Sequence, residues 1–184
     1  MSICFPGTII EREQKTSRDF FSQMFCYTKG LMLAQVREIT GLDTTTIQNW
    51  VNRGWVENPV DKRYSENHLA GIIIIYMLRD VMKMENILKL LDSLKDNGKM
   101  IIGKDELYHY ICEVLDRISF DEILDMGKLN LVMNEVLVSN QRKWKGDFTR
   151  LKNVLHIILV YYASAIIKHK ADQYFIQTMG EPVE

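Results

Sequence analysis

The chain has 184 residues, 47% hydrophobic and 26% charged, with a net charge of -1. That length suits one compact domain or two small ones, and the composition is that of an ordinary globular protein. Near-neutral charge excludes a strongly basic, non-specific nucleic-acid binder, while leaving room for a regulator whose few cations share one face. Pro6, Pro59 and Pro182 are the only prolines, so the long interval between the last two is open to a succession of helices.

Residues 1–28 read as an amphipathic helical extension, in which Thr16 to Tyr27 places Phe20, Phe21, Met24 and Phe25 on one face. From Leu31 to Thr40, Leu33, Val36 and Ile39 keep helical spacing. Gly41 supplies a turn, and Asp43 is placed to cap a second helix that begins at Thr44. That helix turns Ile47, Trp50 and Val51 inward and Thr44, Thr45, Gln48, Asn49 and Asn52 outward. A short helix, a tight turn and a polar-faced helix are the parts of a helix-turn-helix, whose second helix enters the DNA major groove. Gly54 stops it, and Asn58-Pro59 and Asp61 carry turn chemistry for a small β-wing ending at Lys62-Arg63-Tyr64.

Ser65 caps the next predicted helix. Its Ile72–Ile75 run would suit a strand by β-branching, but the flanking Leu69-Ala70 and Met77-Leu78 make it too long for one. Met84 to Lys95 aligns Ile87, Leu88, Leu91 and Leu94, and Asp96-Asn97-Gly98-Lys99 then breaks the pattern. Leu107 to Ile118 is a further amphipathic helix, Ser119 to Glu122 a capping box, and Leu129 to Leu137 another helix. Asn140 to Gly146 is a polar, basic connection, and Asp147 caps a last helix to about Lys170. Leu151, Leu155, Ile158 and Tyr162 serve one face of it. Ile157, Tyr161, Ser164 and Ile167 form a second apolar set, which needs either a central place in the bundle or a second subunit.

Residues 31–95 resemble the MerR-type winged-helix domain on Thr40-Gly41, Gly54, Arg63-Tyr64-Ser65 and the helices Leu69–Val81 and Met84–Lys95. The whole chain also resembles an uncharacterised bacterial family that joins such a domain to a C-terminal helical region. Gln48 stands where many MerR domains carry Arg, and Trp50 where they carry Tyr. The resemblance implies an all-α fold in three parts: the extension at 1–28, the winged helix-turn-helix at 29–97, and a dimerisation or effector bundle at 98–184. It also implies a homodimeric transcription regulator of double-stranded DNA.

In that reading Thr44, Thr45, Gln48, Asn49 and Asn52 meet base edges, while Arg53, Lys62, Arg63 and Tyr64 hold the backbone. Ile157, Tyr161, Ser164 and Ile167 form the dimer interface. The alternative is a protein-interaction module that kept the scaffold and lost DNA binding. The basic excess between Lys29 and Tyr64 is a single charge, which suits that alternative.

No P-loop, GxGxxG, HExxH or GxSxG is present, so no enzyme, cofactor or metal is expected. Asp105 and His109 lie one helical turn apart and read as a chance pair on an exposed helix. Tyr108, Tyr110, Tyr161 and Tyr162 would line a pocket if the protein takes a small apolar effector. Cys4, Cys26 and Cys112 fit no ligand or disulfide pattern and read as reduced thiols in a cytoplasmic chain. The longest apolar runs, Leu69–Leu78 and Val154–Ile167, fall short of the ~20 residues that span a bilayer, so no membrane partner is expected.

Overall fold

The computed structural model describes residues 4–141 and 147–180, and it is mostly helical. The basic connection expected up to Gly146 falls largely outside these residues, as does Pro182. In chain order the elements are α1 (Ser17–Phe25), α2 (Leu33–Thr40), α3 (Thr44–Asn52), α4 (Glu66–Leu78) and α5 (Met84–Asp92). A hairpin β1 (Lys95–Asp96) and β2 (Lys99–Met100) follows, then α6 (Lys104–Arg117), a 3₁₀ turn at Asp121–Leu124, α7 (Met126–Ser139) and α8 (Phe148–Met179).

Side-chain caps fix many of these boundaries. Thr16 accepts from the Asp19 amide, Asp43 from the Thr46 amide, Ser65 from the His68 amide, and Asp147 from the Thr149 and Arg150 amides. Each meets an amide that the helix itself leaves without a partner.

The isoleucine run is helical because it is wanted on every side. Leu69, Ala70, Gly71, all four isoleucines, Met77 and Leu78 are buried in α4, which packs against α5, α6 and α8. Gly71 lets the Lys104 side chain lie close against α4: a Cβ there would sit 3.1 Å from it. Around this axle the buried residues form one continuous cluster from Phe5 to Ala163. The segments read as winged-helix and bundle parts therefore share α4.

Two elements differ from the reading of the sequence. The break at Asp96–Lys99 is the turn of an antiparallel hairpin that pairs Lys95 with Met100 and Asp96 with Lys99. Asn97 and Gly98 both have positive φ, as a two-residue type I′ turn demands. The final helix also runs past Lys170 to Met179, because no Gly or Pro intervenes before Gly180. Its 32 residues are about 48 Å long. By length and composition, though not by the shorter runs read from the sequence, it could cross a membrane. A third of that apolar window is already buried inside the protein.

Candidate nucleic-acid interface

The unit that presents the polar face is built from its inside outward. Val36 and Ile39 of α2 and Ile47 and Trp50 of α3 are buried, with Leu42 of the turn between them. Thr40 is buried too, and its hydroxyl is satisfied twice: it donates to the Val36 carbonyl at 2.8 Å and accepts from the Leu42 amide at 3.3 Å. Gly41 ends α2 with φ of 72°, a left-handed conformation that other residues adopt at a cost. The chain can therefore reverse within three residues and start α3 at Thr44.

Asp43 locks that start. Its carboxylate accepts from the Thr46 amide and the Thr46 hydroxyl, both at 2.7 Å. These bonds hold the Asp43 carboxyl below its ordinary range. At the other end Gly54 takes φ of 71°. This lets the Trp55 and Val56 amides fold back onto the Trp50 carbonyl at 2.9 and 3.2 Å.

Thr45, Gln48, Asn49 and Asn52 are exposed on the outer face of α3, and Thr44 is half-buried. Arg53 caps the helix and is exposed, with its guanidinium 4.9 Å from the centre of the Trp55 ring. Trp50 faces inward, with the Arg79 guanidinium 5.8 Å from its ring. The expected inward turn of Ile47 and Trp50 therefore agrees with the structure, and Val51 is half-buried beside them.

The expected wing is smaller than a pair of strands. Among the described residues it consists of two isolated bridges, Val60 with Arg63 and Leu31 with Tyr64. The Arg63 amide donates to the Val60 carbonyl at 2.8 Å, closing a tight turn over Asp61 and Lys62. Both turn residues have positive φ, 50° and 60°. Asp tolerates that region, whereas a lysine there is strained. Lys62 is thus held exposed at the tip at some conformational cost.

Arg63 is anchored at the base, donating to the Gly30 carbonyl at 3.2 Å. Tyr64 departs from its expected role. Its backbone pairs with Leu31 in both directions at 2.8 Å, and its buried ring lies edge-on to His68. Tyr64 joins the wing to the core and is removed from the contact set.

A link that sequence reading missed ties this unit to the bundle. Lys104, at the start of α6, reaches the Glu57 carboxylate at 3.1 Å, just beyond the Gly54 turn. The bond and the charge of Lys104 hold Glu57 below the ordinary carboxylate range. The two residues are 47 positions apart, and no local spacing signals the pair.

Among the described residues the four tyrosines do not line one open pocket. Tyr108 and Tyr110 are wholly buried, Tyr108 donating to the Pro6 carbonyl at 2.8 Å, while Tyr161 is exposed on α8. Open space lies elsewhere. One cleft of about 320 Å³ is lined by Arg18, Phe25, Glu66, Asp105 and His109. Another of about 200 Å³ lies between Trp55, Leu88, Lys95 and Met100.

His109 is buried, with its Nδ1 2.9 Å from the Ser17 hydroxyl, and so does not lie on the exposed helix face expected from the sequence. No group of three or more metal-ligating side chains occurs among the described residues. Cys112 is buried, which pushes its thiol up to about 12, whereas Cys26 is exposed.

What the fold and this face define is a mostly helical protein that presents one short, capped, polar helix. The family model described as a domain of unknown function (DUF1836) matches residues 20–111, half of the chain, and the protein belongs to that family. Its match spans α2, α3, the bridged turn and α4 to α5, and continues through most of α6. Neither the curated proteins nor the solved structures give a match.

Proposed function

We propose that this protein is a sequence-specific, double-stranded DNA-binding regulator of transcription, MerR-like in its winged helix-turn-helix and acting as a homodimer in the cytoplasm. The observation that carries the reading is the outer face of α3. Thr45, Gln48, Asn49 and Asn52 are exposed together on a helix that is capped at both ends and pinned by Ile47 and Trp50. Gln and Asn side chains can bond adenine at both N6 and N7, and Thr can meet a thymine methyl or a phosphate. Thr44 lies at the edge of this face.

Arg53 at one end of α3, with Lys62 and Arg63 on the bridged turn, supplies cations for phosphates on either side of a groove. One helix reads only a few base pairs, so useful specificity calls for two copies on a two-fold site. The reading is of a binding protein with no catalytic step.

Selection from random double-stranded DNA with the full-length protein tests it. Enrichment of a motif with two-fold symmetry is the expected result, and a pool that stays random after repeated rounds contradicts the reading. A second reading, a protein-interaction module on the same scaffold, is favoured by one observation. The segment from Lys29 to Tyr64 carries only one more basic than acidic residue, which gives weak attraction to a polyanion.

A further inference from the structure

The cleft of about 200 Å³ beside Trp55 lies where four elements meet. The turn after α3 forms one wall, α5 a second and the hairpin a third, and Lys104 at the start of α6 closes it. Trp55, Leu88 and Met100 are half-buried there and Leu91 is buried, so the walls are largely apolar. A narrower recess of about 10 Å³ shares Trp55, Glu57, Leu91 and Lys104 with the cleft and reaches inward to Gly71 and Ile75 of α4.

Two ion pairs stand at the rim, and they are unequal. Lys95 meets Asp92 at 2.6 Å with both side chains well exposed. Lys104 meets Glu57 at 3.1 Å, but its side chain is only 19% exposed while that of Glu57 is 73% exposed. The position of Lys104 is fixed from below. Its backbone amide donates to the Asn67 side chain at 2.7 Å, and its stem lies close against Gly71.

Lys104 is thus a cation withdrawn from water whose carboxylate partner remains in water. Such a pair is weak, because solvent screens one end while the other end has lost its hydration. An ammonium also has three N–H donors, and Glu57 accepts from one. A carboxylate carried into the cleft on an apolar body would exclude the screening water and bond Lys104 more strongly. With Glu57 swung outward, Asp92, Lys95 and Lys104 leave one net positive charge at the rim, which matches a single carboxylate.

We propose that this cleft binds a small aromatic carboxylate, with the carboxylate on Lys104 in place of Glu57 and the ring against Trp55, Leu88 and Leu91. The cleft is smaller than sites that take drug-sized ligands, which limits the occupant to roughly one ring system. Stacking on the Trp55 indole favours an aromatic ring over an aliphatic chain.

The site adjoins the polar helix. Trp55 holds the Arg53 guanidinium 4.9 Å from its ring centre, and Glu57 opens the segment that leads to the bridged turn. A ligand that touches Trp55 and releases Glu57 bears on both positions that supply cations for phosphates. That regulatory consequence rests on the DNA-binding reading, whereas occupancy of the cleft does not and is measured without DNA.

Calorimetric titration of the full-length protein with benzoate, phenylacetate and indole-3-acetate tests the site. At least one should bind once per chain with a Kd below about 1 mM. Phenylethylamine, with a similar body and the opposite charge, should not bind. Lys104→Met keeps an apolar stem without the ammonium and should weaken binding about tenfold or more. Glu57→Gln, at an exposed position, should tighten it several-fold, because the ligand no longer displaces a carboxylate. A pair that only supports the fold gives the opposite sign for Glu57→Gln.

Failure of all three carboxylates to bind overturns the proposal. So does binding of phenylethylamine, an unchanged affinity in Lys104→Met, or a Glu57→Gln variant that binds no tighter than wild type. Leu88→Trp, which fills the cleft from α5, gives a second loss-of-binding variant if Lys104→Met melts early, and unchanged affinity there is equally contradictory.

Discussion

The outward faces of α3 and α8 are both exposed, yet exposure means different things on them. On α3 it falls on Thr45, Gln48, Asn49 and Asn52, side chains that water solvates well. Their exposure costs nothing and is compatible with several functions, so their meaning comes from the frame that holds them. On α8 it falls on Ile167, Tyr174 and Phe175, whose contact with water is unfavourable and calls for a partner. The polar face therefore carries a hypothesis about which ligand is bound. The apolar face carries one about whether a second copy is present.

The same substitution at two isoleucines should separate core from interface most strongly. Ile74→Ala, at a fully buried position of α4, should lower unfolding stability by about 2–5 kcal/mol. Ile167→Ala should change it by no more than about 0.5 kcal/mol at concentrations where the protein is monomeric. Urea denaturation at several protein concentrations checks both. Equal losses at the two sites would mean that the end of α8 is core after all.

A smaller effect probes the strained lysine. Lys62→Gly removes a side chain held at positive φ and should stabilise the fold by about 0.5–1 kcal/mol. The same change should weaken DNA binding on every sequence and reduce the salt slope by about one unit. Thermal melting and binding titrations over a salt series would show opposite signs for the two properties. If affinity is unchanged, Lys62 is not a phosphate contact. Arg53→Gln should give the same uniform loss of affinity without the gain in stability.

The smallest effect concerns pH. Asp43 titrates lower in the folded protein than in the unfolded chain, because Thr46 bonds its charged form. Its contribution is complete above the unfolded pKa and is lost as the pH falls through the lower, folded one. The protection factors of amides at the start of α3, measured against the intrinsic exchange rate at each pH, should therefore fall below about pH 4. Asp43→Asn keeps a capping oxygen without a titrating charge, and it should flatten that dependence.

Much of the α3 unit was legible because its signals are local. Asp43, Gly41 and Gly54 punctuate the helices within a few residues, and Ile47 and Trp50 set the inward face by spacing alone. The helical state of α4 was legible because its apolar run, from Leu69 to Leu78, is too long for a strand. What escaped is non-local or depends on competing preferences. The Asn97-Gly98 hairpin was masked by reading a polar break as a boundary. Tyr64 has both an apolar ring and a polar tip, so its type does not reveal which the fold uses. The Glu57–Lys104 pair links distant segments, and the tyrosine pocket failed because neighbouring positions on α6 and α8 face different ways.

Whether the outer face of α3 reads DNA can be measured directly. Fluorescence anisotropy with a duplex obtained by selection, against a scrambled duplex of equal length, measures this for wild type and for Gln48→Ala, Asn49→Ala. The variant should bind the selected duplex more weakly by about 1–3 kcal/mol per lost base contact, with little change on the scrambled one. A variant that binds the selected duplex as tightly as wild type would show that these residues are not the readers.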